Sequence, residues 1–492
     1  MTTIYDKLLA YGNSDAYPFH MPGHKRQITD FVNPFQIDIT EIDGFDNLHH
    51  PEGILKEAQE RAAALYDSRS TYFLVNGSTC GILSAVSALV RPGGEIILAR
   101  NCHKASYHAC YLGDLVIHSL YPQWEPKWGI NGGILPEDVE KLLTEYPKTQ
   151  AVLLTSPTYD GAVSDIRSIA RICHAHGVPL IVDEAHGAHL GFHPYFPESA
   201  LKLGADVVIQ SFHKTLPSLT QTAVLHVGRD AQVDEERIRR FLGIYQSSSP
   251  SYIFMAAMDR CVEFLKNEGK ERFEAFAARL EDFYAFIRGL ERIRIPGYEI
   301  RGSYGIFDFD RSKILLVPAA HGGDWIGREL REKDHLELEM AAGGYGLALT
   351  SVMDTEEGFE RLRKALNRID GELADEEAAC VGRVGAGVES ALDRRSRSVG
   401  YDGVVHNEIV VSLREAYDGE KETVPLKESE GRISGEFLYL YPPGIPLLMP
   451  GERISRDVLE RVAFFQEEGL SIQGLRDYTA EYIDVLREAE ER

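Results

Sequence analysis

From about residue 54 to 230 the chain repeats one pattern: a short apolar run, a turn of small or polar residues, then a helix-spaced stretch. The apolar runs are Thr71–Val75, Glu95–Ala99, Leu115–Ile117, Ala151–Thr155, Val178–Val182 and Ala205–Ile209. Helices are predicted from Ile54 to Tyr66, from the Asn76–Gly81 turn through Val90, after Pro136, and from about Asp165 to Ala175. Strands joined through helices pair in parallel and are covered on both faces, so the chain is predicted to be α/β, with a mostly parallel sheet sandwiched by helices. Ligands of such sheets sit at the carboxyl ends of the strands.

The polar residues at those ends are Ser78, Thr79, His103, Thr158, Asp183, Ser211, His213 and Lys214. Taken singly, each has a plain reading: a Gly-Ser-Thr turn is usually only a turn, and a lone histidine is usually structural. Together they make one chemistry. Lys214 follows the buried run Ala205–Ile209, so its amine is predicted to be partly buried, with a lowered pKa and a nucleophilic lone pair. Strand, Asn76–Gly81 turn and helix form a cradle for phosphate. Asp183, one helix-and-strand unit before Lys214, can keep a pyridine nitrogen protonated. A lysine for an aldehyde, an anion site and an acid beside a ring nitrogen are what pyridoxal 5'-phosphate requires of a protein.

Composition limits the partners. Net charge is −24, which disfavours nucleic acid and anionic membrane surfaces and modestly favours cationic small molecules. No apolar run reaches the ~18 residues of a membrane span. Six scattered cysteines, none in a CxxC pair, indicate neither metal nor a disulfide framework. The N-terminus lacks a charged-then-apolar signal pattern, so a reducing cytoplasm is expected.

Outside the alternating stretch, residues 1–53 read as an N-terminal arm. In it, Pro18–Arg26 excludes a regular element, and its two histidines and two cations either dock on the body or line an anionic pocket. Residues 54–295 form the large domain. Residues 296–492 form a smaller α+β domain, with an exposed linker at about 371–400. The prolines of 435–446 predict a rigid turn rather than a central strand, and the tail from Val458 is predicted to be helical.

The segments Pro18–Lys25 (PFHMPGHK), Glu41–Gly53, Asn76–Thr79, Asn101–Lys104, Pro157–Gly161, Asp183–His186, Ser211–Lys214 and Tyr441–Glu452 (YPPGIPLLMPGE) carry a resemblance. The chain resembles, almost end to end, the Orn/Lys/Arg decarboxylases of the aspartate-aminotransferase fold, the type I fold of pyridoxal-phosphate enzymes, built on a seven-stranded sheet. The resemblance implies that Lys214 holds the cofactor and Asp183 pairs with its ring nitrogen. It places His103 and Ala185 on the two ring faces, and Ser78, Thr79, Ser211 and His213 at the phosphate. Thr158 lies near the cofactor by the same reasoning. Lys214, His103 and Asp183 are the expected catalytic residues.

Ser156 stands where asparagine is common. Nothing ahead of Pro18 is long enough for the wing domain of longer family members, so the shorter branch is indicated. The resemblance further implies a homodimer or higher assembly with sites at the interface, where Asp46 or the His20–His24 loop would serve a neighbouring subunit. The expected reaction is decarboxylation of a basic L-amino acid, with arginine to agmatine the first choice, and Asp46 and Glu452 are the candidates for the substrate's cation. Lysine or ornithine decarboxylation, and an aminotransferase or other lyase reaction, are the alternatives.

Overall fold

The computed structural model describes residues 3–319, 321–381, 404–440, 444–467 and 470–487. Seven strands form the main sheet: β1 (Ser70–Leu74), β2 (Glu95–Ala99), β3 (Val116–Leu120), β4 (Thr149–Thr155), β5 (Leu180–Asp183), β6 (Val207–Gln210) and β7 (Ala223–Val227). Their order is β1-β7-β6-β5-β4-β2-β3. The five strands from β6 to β3 run parallel, while β7 is antiparallel to both β6 and β1. β7 follows Lys214 without a helical crossover, which permits the antiparallel pairing.

The sheet is buried because its strands are apolar on both faces, as Leu180, Ile181 and Val182 show. The covering helices bury one face each. In Ile166–Ala175 the buried residues are Ile166, Ile169, Ala170 and Cys173, and Asp165 caps the helix by accepting from Ser168 N–H. Burying an isoleucine of this kind stabilises the fold by about 1.5–3 kcal/mol.

Beyond the sheet, Ile293–Arg294, Lys313–Pro318, Tyr345–Leu349 and Met340–Ala342 form a second, four-stranded sheet. The arm joins this region. Tyr17–Phe19 pairs in parallel with Leu336–Leu338, a regular element that the prolines had seemed to exclude. Pro18 is tolerated because this is a two-stranded edge pairing. A helix runs from Glu356 to Val381 through the first part of the expected linker; the rest of that stretch lies outside the described residues, as do Tyr441–Pro443. Leu438–Leu440 is the middle strand of a three-stranded sheet, ending ahead of the prolines, and Pro446–Leu448 is one of its edges. The tail departs from expectation too. Its helix ends at Glu467, and Tyr482–Leu486 returns as a strand on Lys421–Pro425, with Ile483 and Val485 buried at the period of a strand. No helix among the described residues is long and apolar enough to cross a membrane.

One buried ion pair fastens the C-terminal region to the end of β2. Arg100 Nη2 donates to Glu452 Oε2 at 3.0 Å, and the guanidinium also donates to the carbonyls of Pro446 and Leu447. Asn407 Nδ2 and Met449 N–H donate to the same carboxylate oxygen. Removing one partner leaves a buried charge uncompensated, so Glu452→Ala should cost about 3–5 kcal/mol, read as a lower midpoint of thermal unfolding. The double replacement Arg100→Met, Glu452→Leu should recover much of that loss.

Candidate active site

Three strand ends lie at one level. Thr155 stands opposite Asp183 across β4 and β5, and Asp183 stands opposite Ile209 across β5 and β6. The chain then turns through Ser211 into the short helix Phe212–Thr215, which carries Lys214. A cavity of about 460 Å³ opens above these ends, within the range of cofactor and ligand sites. Ser78, Thr79, His103, Thr158, Asp183, Ala185, His213 and Lys214 all line it. Ser211 does not, although it is wholly buried at the end of β6 with an Oγ that has no hydrogen-bond partner.

The electrostatics follow from burial. Desolvation pushes the Lys214 amine below the ordinary lysine range, and the Asp183 charge opposes this. Desolvation likewise pushes Asp183 above the usual carboxylate range, with Lys214 opposing. Among the described residues the Asp183 carboxylate has one hydrogen-bond partner, the Ala185 N–H at 3.1 Å. Lys214 Nζ lies 2.9 Å from His186 Nε2, and burial holds that imidazole neutral. His103 caps the helix Lys104–Gly113, its Nδ1 accepting from Ala105 N–H, so the neutral ring carries its proton on Nε2. Burial, aided by the Lys214 charge, pushes its pKa down to about 3.

The first turn of the helix Gly77–Leu89 faces the same cavity through Gly77, Ser78 and Thr79, and Asn76 gives it no side-chain cap. Its free N–H groups suit an anion. The residues therefore fit pyridoxal phosphate on three counts: an amine of lowered pKa, an under-partnered buried carboxylate, and an uncapped helix start facing the same cavity. Thr158 is held in the wall by Ala162, whose N–H donates to its Oγ1. Ser156 lies off the cavity lining, where its Oγ accepts from Ser164 N–H and its N–H donates to the Asp183 carbonyl.

The two acids chosen for the substrate lie elsewhere. Asp46 accepts from the backbone N–H groups of Asn47, Glu52, Gly53 and Leu55, tying down the start of the helix Ile54–Tyr66. What burial it has would raise its pKa, but these donors outweigh that and hold the carboxyl low. Glu452 is engaged by Arg100, as described above. Neither lines the cavity. Besides Asp183, the acids that do are Asp160 and Glu339. Glu339 accepts from Met21 N–H at 2.8 Å and Tyr159 OH at 3.0 Å. No local pattern marks it, because it reaches the cavity from the second sheet.

The Pro18–Arg26 loop docks on the body. Lys25 is buried with Nζ donating to the carbonyls of Pro18, His20 and Leu349, and the loop reaches the cavity through Met21 rather than through its cations. Gly23 lies on the Lys214 turn, its N–H donating to the His213 carbonyl at 2.7 Å.

The fold is the type I fold of pyridoxal-phosphate enzymes, and the residues at its site fit that cofactor. Residues 2–295 match the family described as Orn/Lys/Arg decarboxylase, major domain, and residues 406–476 match the C-terminal domain of that family. The arginine decarboxylase of Bacillus anthracis is 32% identical over 497 residues, spanning 99% of this chain and 97% of that protein. The arginine decarboxylase of Bacillus subtilis (strain 168) is 31% identical over 507 residues, spanning 99% and 98%. Among solved structures, the Francisella novicida lysine decarboxylase LdcF superposes with a TM-score of 0.76 at 20% identity, covering 99% of this chain and 81% of that one. The chain belongs to the Orn/Lys/Arg decarboxylase family and is a decarboxylase of basic amino acids.

A Cβ on Gly23 would stand 2.8 Å from the backbone nitrogen and oxygen of Leu216. Gly23→Ala should therefore shift the Lys214 turn and lower kcat/KM by about 100-fold, with far-ultraviolet circular dichroism unchanged.

Proposed function

We propose that this enzyme converts L-arginine to agmatine and carbon dioxide, with pyridoxal phosphate held at Lys214. One observation carries the reading. The cavity that joins Lys214 to Asp183 also holds two carboxylates, Asp160 and Glu339, that have no ion-pair partner among the described residues. A substrate with a cationic side chain supplies what they lack. The similarity to proteins named arginine decarboxylase supports arginine among the basic amino acids.

The reaction replaces the α-carboxylate with a proton, so each turnover consumes one proton as carbon dioxide leaves. When bound, pyridoxal phosphate supplies the electron sink that accepts the bonding pair of the breaking Cα–carboxylate bond. The protein's part is to bind, orient and deliver protons. Asp183 offers a buried anion to the ring nitrogen and keeps it protonated. His103 and Ala185, which line the cavity, would bound the ring. The Lys214–His186 hydrogen bond runs in either direction according to where the proton sits, so this pair can hold and return the proton needed at Cα.

His213 carries a further requirement. Its Nδ1–H donates to the Thr222 carbonyl at 2.8 Å, so a neutral ring presents only an acceptor at Nε2. Burial holds its pKa down to about 4. To touch a phosphate it must take up a proton, which a nearby dianion favours. The exposed apolar side chains of the arm, Ile4, Tyr5, Leu8 and Phe35 among them, support a homodimer or larger assembly. The five cysteines that are free and buried among the described residues support a reducing cytoplasm.

Carbon dioxide release from L-arginine, L-lysine and L-ornithine, with the amine identified, tests the reading: arginine should dominate and yield agmatine, and Lys214→Ala should abolish turnover. Transfer of the amino group without carbon dioxide would contradict it. Calorimetry of cofactor binding in buffers of different ionisation enthalpy should show greater proton uptake by the wild type than by His213→Gln, by up to about one proton at neutral pH. Equal uptake would remove His213 from the phosphate.

A further inference from the structure

Of the two acids that line the cavity besides Asp183, Glu339 already engages both carboxylate oxygens with protein donors, Met21 N–H and Tyr159 OH. Asp160 differs. It is 6% exposed, and its single hydrogen bond from another residue is donated by Tyr345 OH to Oδ1. Among the described residues no other residue donates to Oδ2, and no cation pairs with the group.

Its position is also distinctive. Asp160, Asn101, Asn131 and Ile445 line both the Lys214 cavity and a second cavity of about 250 Å³. Asp160 thus stands in the wall that the two cavities share. Asn101 is 5% exposed there, and its Oδ1 is buried with no hydrogen-bond partner. Two acceptors short of donors therefore share one junction. A guanidinium carries five N–H donors in a fixed plane, whereas an ammonium carries three around a point. Trp124 lines the second cavity, and an aromatic ring beside a planar cation adds to binding.

Tyr345 belongs to the second sheet and Asp160 to the turn after β4, so their hydrogen bond joins the two sheets across the site and fixes the carboxylate's direction. We propose that Asp160, with Asn101 at the same junction, receives the distal guanidinium of the substrate and selects arginine over ammonium-ended amino acids. This rests on the decarboxylase reading above and adds the residue that chooses the head group. Burial raises the Asp160 pKa to about 6, so the free site holds a carboxylate at neutral pH whose charged form a bound cation would favour further.

The test is steady-state kinetics of the cofactor-loaded wild type, Asp160→Asn and Tyr345→Phe with L-arginine and L-lysine, together with competitive inhibition by L-citrulline, the uncharged analogue of arginine. Asp160→Asn should raise KM for arginine by about 10- to 100-fold with kcat changed far less. It should also narrow the preference for arginine over both lysine and citrulline. Tyr345→Phe, which removes one hydroxyl and no charge, should move the same quantities in the same direction by less, and it decides the matter if Asp160→Asn does not load cofactor. An unchanged KM, a loss of kcat alone, or a wild type that prefers lysine would overturn the assignment while leaving the decarboxylase reading in place. No carbon dioxide from any basic amino acid with the wild type would overturn that reading, and this inference with it.

Discussion

The parallel pairing of β5 with β6, which sets Asp183 opposite Ile209, is the contact on which the site depends. It brings the last residue of one strand beside the start of the turn that carries Lys214. It also buries an acid and an amine near each other at the edge of an apolar sheet. Burial drives both toward their neutral forms, and each restrains the other. The balance leaves an amine ready to react and a carboxylate that gains from a cationic partner. The remaining groups are arranged around this pair: the uncapped helix start at Gly77, the ring of His103, and Gly23 lying on the turn from the far end of the chain.

Strand alternation sorts the acids. Asp183 ends β5 and Glu184 is the next residue, so their side chains point to opposite sides of the strand's end. Asp183 meets the cavity and has one donor. Glu184 meets Ser199 Oγ, the Ala200 N–H and Gln210 Nε2, a full set of donors that makes it a structural acid. The same test separates Asp46, held by four backbone N–H groups, from Asp160; Glu452 keeps a buried Oε1 without a partner, but its Oε2 is held by Arg100, Asn407 and Met449 and the group lies off the cavity. An acid whose donors are all supplied by the fold organises the fold; one that faces the cavity with an oxygen left over is available to a ligand.

What the sequence made legible has local signals. Apolar runs alternating with helical stretches give the sheet, and polar residues at the ends of those runs give Ser78, Thr79, His103, Thr158, Asp183, His213 and Lys214, which the structure gathers around one cavity. β7 was less visible because its antiparallel entry needs only a short turn. Tyr17–Phe19 was hidden by Pro18, since an edge pairing tolerates a missing N–H where a central one does not. Glu339, Asp160 and Tyr345 converge from different sheets, and no spacing along the chain announces that meeting. Glu452 was conspicuous in its motif for a different reason: it neutralises Arg100 at the joint between β2 and the C-terminal region.

The central claim is that Lys214 is the residue that binds the cofactor. Borohydride reduction of the pyridoxal-phosphate-loaded enzyme, followed by digestion and mass spectrometry, tests it most directly. The account predicts one phosphopyridoxyl group, on Lys214, and none on the other buried lysines, Lys25 and Lys313, whose amines are held by carbonyls and by Asp310. A label on either of those, or no label on a protein that still decarboxylates, would contradict it.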